Sequence, residues 1–106
     1  MKDLITGQSD LLILAVLQSG PAHGYAIIEA IKGRSDGRFD LREGTIYPAL
    51  HRLEQQGLLV SAWTPGERRP RRTYELSGAG REALRERRDQ WSRFATAVNA
   101  VIGAPA

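Results

Sequence analysis

Cysteine is absent from this sequence. The chain therefore cannot form a disulfide framework, a thiolate zinc site or a cysteine nucleophile, and we expect a cytoplasmic setting. Long apolar runs are absent as well. The most apolar stretch, residues 11–17, is much too short to span a bilayer, so we expect no membrane partner.

A recognisable catalytic set is also missing. The 2 histidines lie on different predicted helices, the serines are scattered, and no pair of carboxylates lies beside a recognisable substrate cradle. We therefore predict that the protein is not an enzyme and has no catalytic residue, no metal site and no cofactor.

The composition is that of an ordinary globular domain. Hydrophobic residues make up 42% and charged residues 25% of the 106 positions. The net charge is only +3, but the 15 basic residues are mostly arginine, which permits binding to a polyanion. No repeat, low-complexity tract or long linker divides the chain. A chain this short buries less than about three quarters of its unfolded surface, which favours association with a partner subunit.

Apolar periodicity and turn residues predict a mainly α fold with a small β-hairpin. The last helix should begin after Ser77 as its cap and carry apolar residues along one side. The predicted elements are a helix capped by Ser9-Asp10 and ending at Leu17, a helix from about 22 to 32, a very short strand at Phe39 and Leu41, a third helix, strands at 59–64 and 72–76, and a long helix from 78 to about 102.

The third predicted helix has one side to bury and one side to expose. At 100° per residue, the buried side contains Ile46, Leu50, Leu53 and Gly57. Thr45 is the best local cap, which would place Pro48 in the first turn, where a proline costs no hydrogen bond. The opposite side can donate to phosphates or base edges, although a plain solvated face is the alternative. Its members are Thr45, Pro48, His51, Arg52 and Gln55.

A basic turn joins the two predicted strands. Four guanidinium groups at a hairpin tip repel one another unless an anion is near, so we predict contact with DNA phosphates or the minor groove. A solvated turn is the alternative, and Arg72 could instead point along the sheet. The four are Arg68, Arg69, Arg71 and Arg72. A helix with a polar outer face followed by a basic hairpin is typical of a winged helix-turn-helix on DNA.

The start of the second helix is a further candidate for phosphate binding. His23, Gly24 and Tyr25 could present backbone N–H groups to a phosphate, aided by the helix dipole. Simple capping of the helix is the alternative interpretation.

The last helix predicts a homodimer. Leu84, Trp91 and Val98 are spaced by sevens, and Phe94 and Val101 occupy the alternate positions of the same seam. A helix of this length cannot fold its whole apolar stripe onto the core of so small a domain, and an exposed stripe usually marks association. A symmetric dimer would place two recognition helices on an inverted repeat, so we expect a palindromic operator.

Three motifs give the chain its resemblance to a known family. They are Gly20-Pro21-Ala22-His23-Gly24-Tyr25, the block Gly44-Thr45-Ile46-Tyr47-Pro48-Ala49-Leu50-His51-Arg52-Leu53-Glu54 with Gly57-Leu58-Leu59, and Arg71-Arg72-Thr73-Tyr74-Glu75-Leu76-Ser77 with Gly80-Arg81. Together they resemble the PadR family of bacterial transcriptional regulators. The length is similar to that of the short subgroup with a single carboxy-terminal helix.

The resemblance implies a homodimeric repressor that binds double-stranded DNA through the third helix and the wing and responds to a small-molecule effector. It assigns residues 1–77 to a winged helix-turn-helix domain and residues 78–106 to a dimerisation helix. It also implies that Tyr47 contacts DNA, where a packed ring is the alternative, and that Trp91 contacts the effector, where a place in the dimer seam is the alternative. A winged helix that binds only another protein is the competing function.

Overall fold

The computed structural model of the protein describes residues 2–104, with side chains from residue 8 onward. Within that range the fold is mainly α with a small antiparallel sheet, as predicted. The sheet has the strand order β1-β3-β2. In chain order the elements are α1 (Lys2–Leu17), β1 (Ala22–His23), α2 (Gly24–Arg34), α3 (Glu43–Gln55), β2 (Leu59–Thr64), β3 (Arg71–Leu76) and α4 (Gly78–Ile102).

The short strand that completes the sheet beside the hairpin is not where the sequence predicted it. A strand at Phe39 and Leu41 was the wrong prediction, because residues 39–42 have irregular backbone. The side chains of Phe39 and Leu41 pack against the core from a loop. The alternation of apolar and charged residues there therefore reflects the burial of two side chains and not the pairing of a strand. The strand is instead β1, which pairs with β3 through Ala22 opposite Tyr74 and His23 opposite Thr73.

The start of α1 also differs from the prediction. The helix begins at Lys2, so Ser9 and Asp10 lie in its interior and do not cap it. Ser9 is buried, while the Asp10 carboxylate makes ion pairs with Arg52 and Arg87 on other helices. None of the helices in the described part of the chain has the length and apolar character that crossing a membrane requires.

Helix α3 begins earlier than the cap argument predicted. Its first residue is Glu43, and Arg42 occupies the cap position without a side-chain hydrogen bond. Thr45 therefore lies inside the first turn, and the prediction that it caps the helix is wrong. Pro48 is the sixth helical residue. Because proline has no N–H, the carbonyl of Gly44 lacks the bond that residue 48 would otherwise donate.

The end of α3 is set by a left-handed glycine. Gly57 has φ +78°, a conformation that side chains other than glycine rarely adopt. Its N–H donates to the Glu54 carbonyl, and the N–H of Leu58 donates to the Leu53 carbonyl, both at 3.0 Å. These two bonds form a Schellman motif, which turns the chain from α3 directly into β2.

One core joins all four helices to the sheet. From α3 it receives Ile46, Ala49, Leu50 and Leu53, each at most 1% exposed. The remaining members come from the other elements and from the loop before α3: Ile13, Leu14, Val16, Leu17, Ile27, Ile28, Ile31, Leu41, Leu59, Tyr74, Leu76 and Leu84. The burial of one face of α3 in this core leaves its opposite face at the surface.

Helix α4 leaves the core soon after it begins. Ser77 caps it as predicted, because its hydroxyl accepts from the Gly80 N–H at 3.0 Å. Of its 25 residues, only Gly80 and Leu84 are buried. The rest of the helix extends beyond the core and contributes to a molecule 51 Å long by 29 Å and 21 Å across.

Gly80 provides a test of how closely α4 packs on the sheet. A Cβ at this position would overlap the backbone carbonyl of Leu58, whereas one at Gly78 would meet no atom within 4 Å. We expect Gly80→Ala to lower the free energy of unfolding by about 1–3 kcal/mol, since an overpacked site must shift its backbone. Gly78→Ala is the matched control, and its added helix propensity should leave stability equal or slightly higher. Urea unfolding measures both, and equal stability of the two variants would contradict this packing.

Candidate nucleic-acid interface

A cleft of about 810 Å³ brings together three segments that are distant in the sequence. The three segments are the start of α2, Glu43 and Tyr47 at the start of α3, and the loop between β2 and β3 with the strand residues beside it. We call this loop, residues 65–70, together with the flanking Arg71 and Arg72, the wing. The residues that line the cleft are His23, Gly24, Tyr25, Glu43, Tyr47, Trp63, Glu67, Arg68, Arg69, Pro70, Arg71 and Arg72.

The ring of Tyr47 packs directly on Gly24. A Cβ at Gly24 would lie 2.6 Å from Cε1 of Tyr47 and 2.8 Å from its hydroxyl oxygen. Only glycine therefore permits this approach with the ring where it is. Tyr47 is nevertheless 38% exposed. The ring is thus packed on one side and open to the cleft on the other, and its contact with DNA stays a prediction.

His23 connects α2 to the wing. Its Nδ1 accepts a hydrogen bond from the Ala26 N–H at 3.2 Å and so caps α2. Its Nε2 lies 2.8 Å from Nη1 of Arg71. Burial and, secondarily, the charge of Arg71 lower the pKa of His23 from its usual value of 6.5. The lowered pKa favours the neutral imidazole at pH 7.

The four wing arginines fall into two classes. Arg71 contacts His23, and Arg72 lies 3.4 Å from the Glu54 carboxylate with its guanidinium 5.7 Å from the centre of the Trp63 ring. Arg68 and Arg69 are exposed, and neither pairs with a carboxylate in the part of the chain that the structure describes. Among the described residues, Arg72 is thus the one wing arginine that pairs with a carboxylate, and the charges of Arg68, Arg69 and Arg71 remain available to an anion.

Glu54 fixes the wing relative to α3, and the sequence reasoning missed it. One carboxylate oxygen accepts from the Ser61 hydroxyl at 2.5 Å, and the other faces Arg72. Glu54 lies about 20° from Tyr47 around the helix, on the edge toward the hairpin. An acidic residue on that edge, close in sequence to a basic hairpin, was the signal that could have identified it.

The outward residues of α3 lie beside the cleft and outside it. Pro48, His51 and Gln55 are exposed, and Thr45 is half-buried. Arg52 points away from the wing, because its Nη2 lies 2.6 Å from the Asp10 carboxylate of α1. The structure therefore groups Tyr47 with the wing and with the start of α2, and it separates Arg52 from them.

The apolar seam of α4 is exposed beyond its first turns. Trp91 is 45% and Phe94 60% exposed, with ring centres 5.8 Å apart, and Val98 and Val101 continue the exposed stripe. Leu84 is a correction to the predicted dimer set. It is 2% exposed and lies in the core of its own chain, because this part of α4 packs against α1 and β3. The exposed part of the seam begins at Trp91.

A second cavity, of about 430 Å³, lies between α1 and the exposed part of α4. Trp91 and Phe94 contribute its aromatic wall, and Asp10 and Arg87 contribute charged groups. This cavity places Trp91, the predicted effector contact, beside the ion pairs that Asp10 makes.

Comparison with known proteins identifies the family. Residues 13–86 match the PadR-like family of transcriptional regulators. The transcriptional regulator Rv3488 of Mycobacterium tuberculosis is 49% identical over 55 residues, which are 52% of this chain and 51% of that protein. The chain spans 26% and 51% of the lengths of the first two curated relatives that it matches.

Solved structures agree with the fold. A PadR family transcriptional regulator from Eggerthella lenta is 34% identical with a TM-score of 0.81, over 94% of this chain and 86% of that chain. Bacillus subtilis PadR, in a complex with operator DNA, is 24% identical with a TM-score of 0.66, over 73% of this chain and 44% of that chain. Since the family match extends from α1 into α4 and includes the whole cleft, the chain belongs to the PadR-like family of transcriptional regulators.

Proposed function

We propose that this protein is a transcriptional regulator that binds double-stranded DNA as a homodimer. The observation that carries the proposal is the single cleft that joins Tyr47, the start of α2 and the arginines of the wing. Four guanidinium groups face two carboxylates there, Glu43 and Glu67. A surface with this excess of positive charge, next to an exposed helix face, suits a duplex with its phosphates spaced along two strands.

The exposed face of α3 supplies the base-reading part of the proposed interface. Pro48, His51 and Gln55 lie on this face and are open to solvent, and a helix fits the major groove of B-DNA. Thr45 and Arg52 flank the same face, and Arg52 would contact a phosphate at its edge only by leaving the Asp10 carboxylate. The wing would follow the neighbouring phosphates or the minor groove, with Arg68 and Arg69 as its free cations.

The solved complex of Bacillus subtilis PadR with operator DNA supports the choice of partner. That protein shares the fold of this chain, and its DNA is the kind of ligand that the charge of the cleft favours. We extend the proposal to repression, which the family resemblance implies, because a regulator bound to an operator blocks access to it. A winged helix that binds only proteins would not need the unpaired arginines of the wing.

The homodimer would form through the exposed seam of α4. Trp91, Phe94, Val98 and Val101 present a continuous apolar stripe that the chain itself leaves exposed. Burial of each such side chain contributes roughly 1.5–3 kcal/mol before ordering costs, which is enough in total to hold two copies together. A two-fold axis along this seam would present two α3 helices to half-sites about 34–36 Å apart on a palindrome.

We place the effector in the cavity between α1 and α4, with Trp91 as the contact residue. The cavity is beside the proposed dimer seam and is lined by two aromatic rings. Flat apolar molecules stack on such rings. An effector there would touch the seam and would share no lining residue with the DNA cleft, as expected of a ligand that changes affinity without competing for DNA.

Selection from random-sequence duplexes tests the proposed function as a whole. We expect bound fragments to converge on an inverted repeat, because a two-fold dimer reads the same sequence twice. The recovered spacing between half-sites measures the distance between the two α3 helices. If no sequence is enriched while the protein remains folded and dimeric, DNA recognition is excluded and the protein-binding alternative is favoured.

Salt dependence tests the role of the wing. Replacing Arg68 and Arg69 with glutamine removes four positive charges from a dimer, so the slope of log K against log salt should become shallower by about 3 to 4. Arg85→Gln with Arg93→Gln is the matched control, since it removes equal charge from exposed positions on α4. Titration at several salt concentrations measures both slopes. A slope that changes equally in the two variants would remove the wing from the interface.

Added charge in the seam tests the dimer. Trp91→Asp with Val98→Asp should give monomers in sedimentation experiments, because burying two unpaired carboxylates per chain is strongly unfavourable. Ser92→Asp with Thr96→Asp adds the same charge to exposed positions outside the seam and should leave the dimer intact. Dimers that persist in the first variant would show that another surface holds the two copies.

A further inference from the structure

The hydrogen bonding of His23 is incomplete in the free protein. Its Nδ1 lies 3.2 Å from the backbone nitrogen of Ala26, and its Nε2 lies 2.8 Å from Nη1 of Arg71. Both neighbours are N–H donors, so both ring nitrogens would have to accept. A neutral imidazole has one acceptor nitrogen and one N–H, and a protonated ring has no acceptor at all. One of the two contacts is therefore between two donors.

The cap on α2 decides which contact is unsatisfied. Ala26 is in the first turn of α2, where a backbone N–H has no partner within the helix, and only three residues separate it from His23. Arg71 is on an exposed part of the wing with a long side chain that can move. Keeping the cap places the ring proton on Nε2, where it faces the N–H of Arg71.

Two donors that converge from different elements define the position of an acceptor. We propose that His23 and Arg71 form one phosphate site, in which a single DNA phosphate oxygen accepts from Nε2 of His23 and from the Arg71 guanidinium. Neutral His23 supplies a directed hydrogen bond, and Arg71 supplies the charge. This inference rests on the proposed function, since it assigns one contact of the DNA interface.

The surroundings of the site agree with this assignment. The groups that share the cleft with His23 are Tyr25 on α2, Glu43 and Tyr47 on α3, and the wing with Glu67 and its arginines. The pKa of His23 is lowered by burial and by Arg71, which favours the neutral ring that the cap on Ala26 requires. Glu43 and Glu67 line the cleft but make no ion pair with Arg71 among the described residues, so its charge remains free for a phosphate.

The variant His23→Asn is expected to keep the cap on α2 and to lose only the proposed phosphate contact. Asparagine is among the best cap residues, and its side-chain oxygen can accept from the Ala26 N–H as Nδ1 does now. Its shorter side chain carries no donor at the position of Nε2. His23→Asn should therefore unfold at the same urea concentration as the natural protein and bind a mixed-sequence duplex about tenfold more weakly for each protomer, the loss expected for one hydrogen bond to a charged group.

The salt slope distinguishes the two partners. Neutral His23 releases no counterion, so His23→Asn should leave the slope of log K against log salt unchanged, whereas Arg71→Gln should make it shallower by about 1 for each protomer. The double variant should lose less than the product of the two single losses, because the two residues hold the same oxygen. Imidazole ¹⁵N spectra should show the Nε2–H form in the DNA complex.

The outcomes separate this inference from the proposed function. If the duplex binds but His23→Asn binds as tightly as the natural protein, or the bound ring carries its proton on Nδ1, the shared phosphate site is wrong and DNA binding stands. A slope that becomes shallower in His23→Asn would show a charged histidine and would also overturn the site as proposed. If the folded natural protein does not bind the duplex even at low salt, the proposed function fails and this inference fails with it.

Discussion

The burial of one face of α3 is the constraint on which the rest of this surface depends. Ile46, Leu50 and Leu53 are fully enclosed by the core, and each buried aliphatic side chain contributes roughly 1.5–3 kcal/mol. Helix α3 cannot rotate without exposing them. Its orientation then places Tyr47 against Gly24 and Glu54 against the wing. The cleft therefore exists before any ligand arrives, which reduces the ordering cost of binding.

The wing combines fixed and free cations. Glu54 and Trp63 hold Arg72, and His23 lies against Arg71, whereas Arg68 and Arg69 have no such partner. Ion pairs at a surface contribute little, commonly under about 1 kcal/mol. The Arg72–Glu54 pair therefore orients the guanidinium but adds little to stability by itself. Arg72 is thus held beside α3, whereas Arg68 and Arg69 would add attraction to an anion over a longer range.

Local patterns in the sequence predicted much of the fold but less of the site. The apolar period of α3, the Ser77 cap and the hairpin strands all depend on neighbouring residues, and the structure agrees with each. The features that were missed depend on distant partners. Strand β1 exists only because β3 offers an edge to it, and Arg52 turns toward Asp10, 42 residues earlier in the chain. The start of α3 had no cap signal to read, since Arg42 makes no side-chain bond there.

The Asp10 carboxylate joins three helices at one point. One oxygen binds Arg52 of α3 at 2.6 Å, and the other lies 3.8 Å from Arg87 of α4. Two cations on separate helices thus share a single counter-charge that belongs to α1. A displacement of α4 relative to α1 would change the distance between Arg87 and the carboxylate that Arg52 also contacts. The helix that would pair two copies and the helix that would read DNA are thus connected through a single side chain of α1.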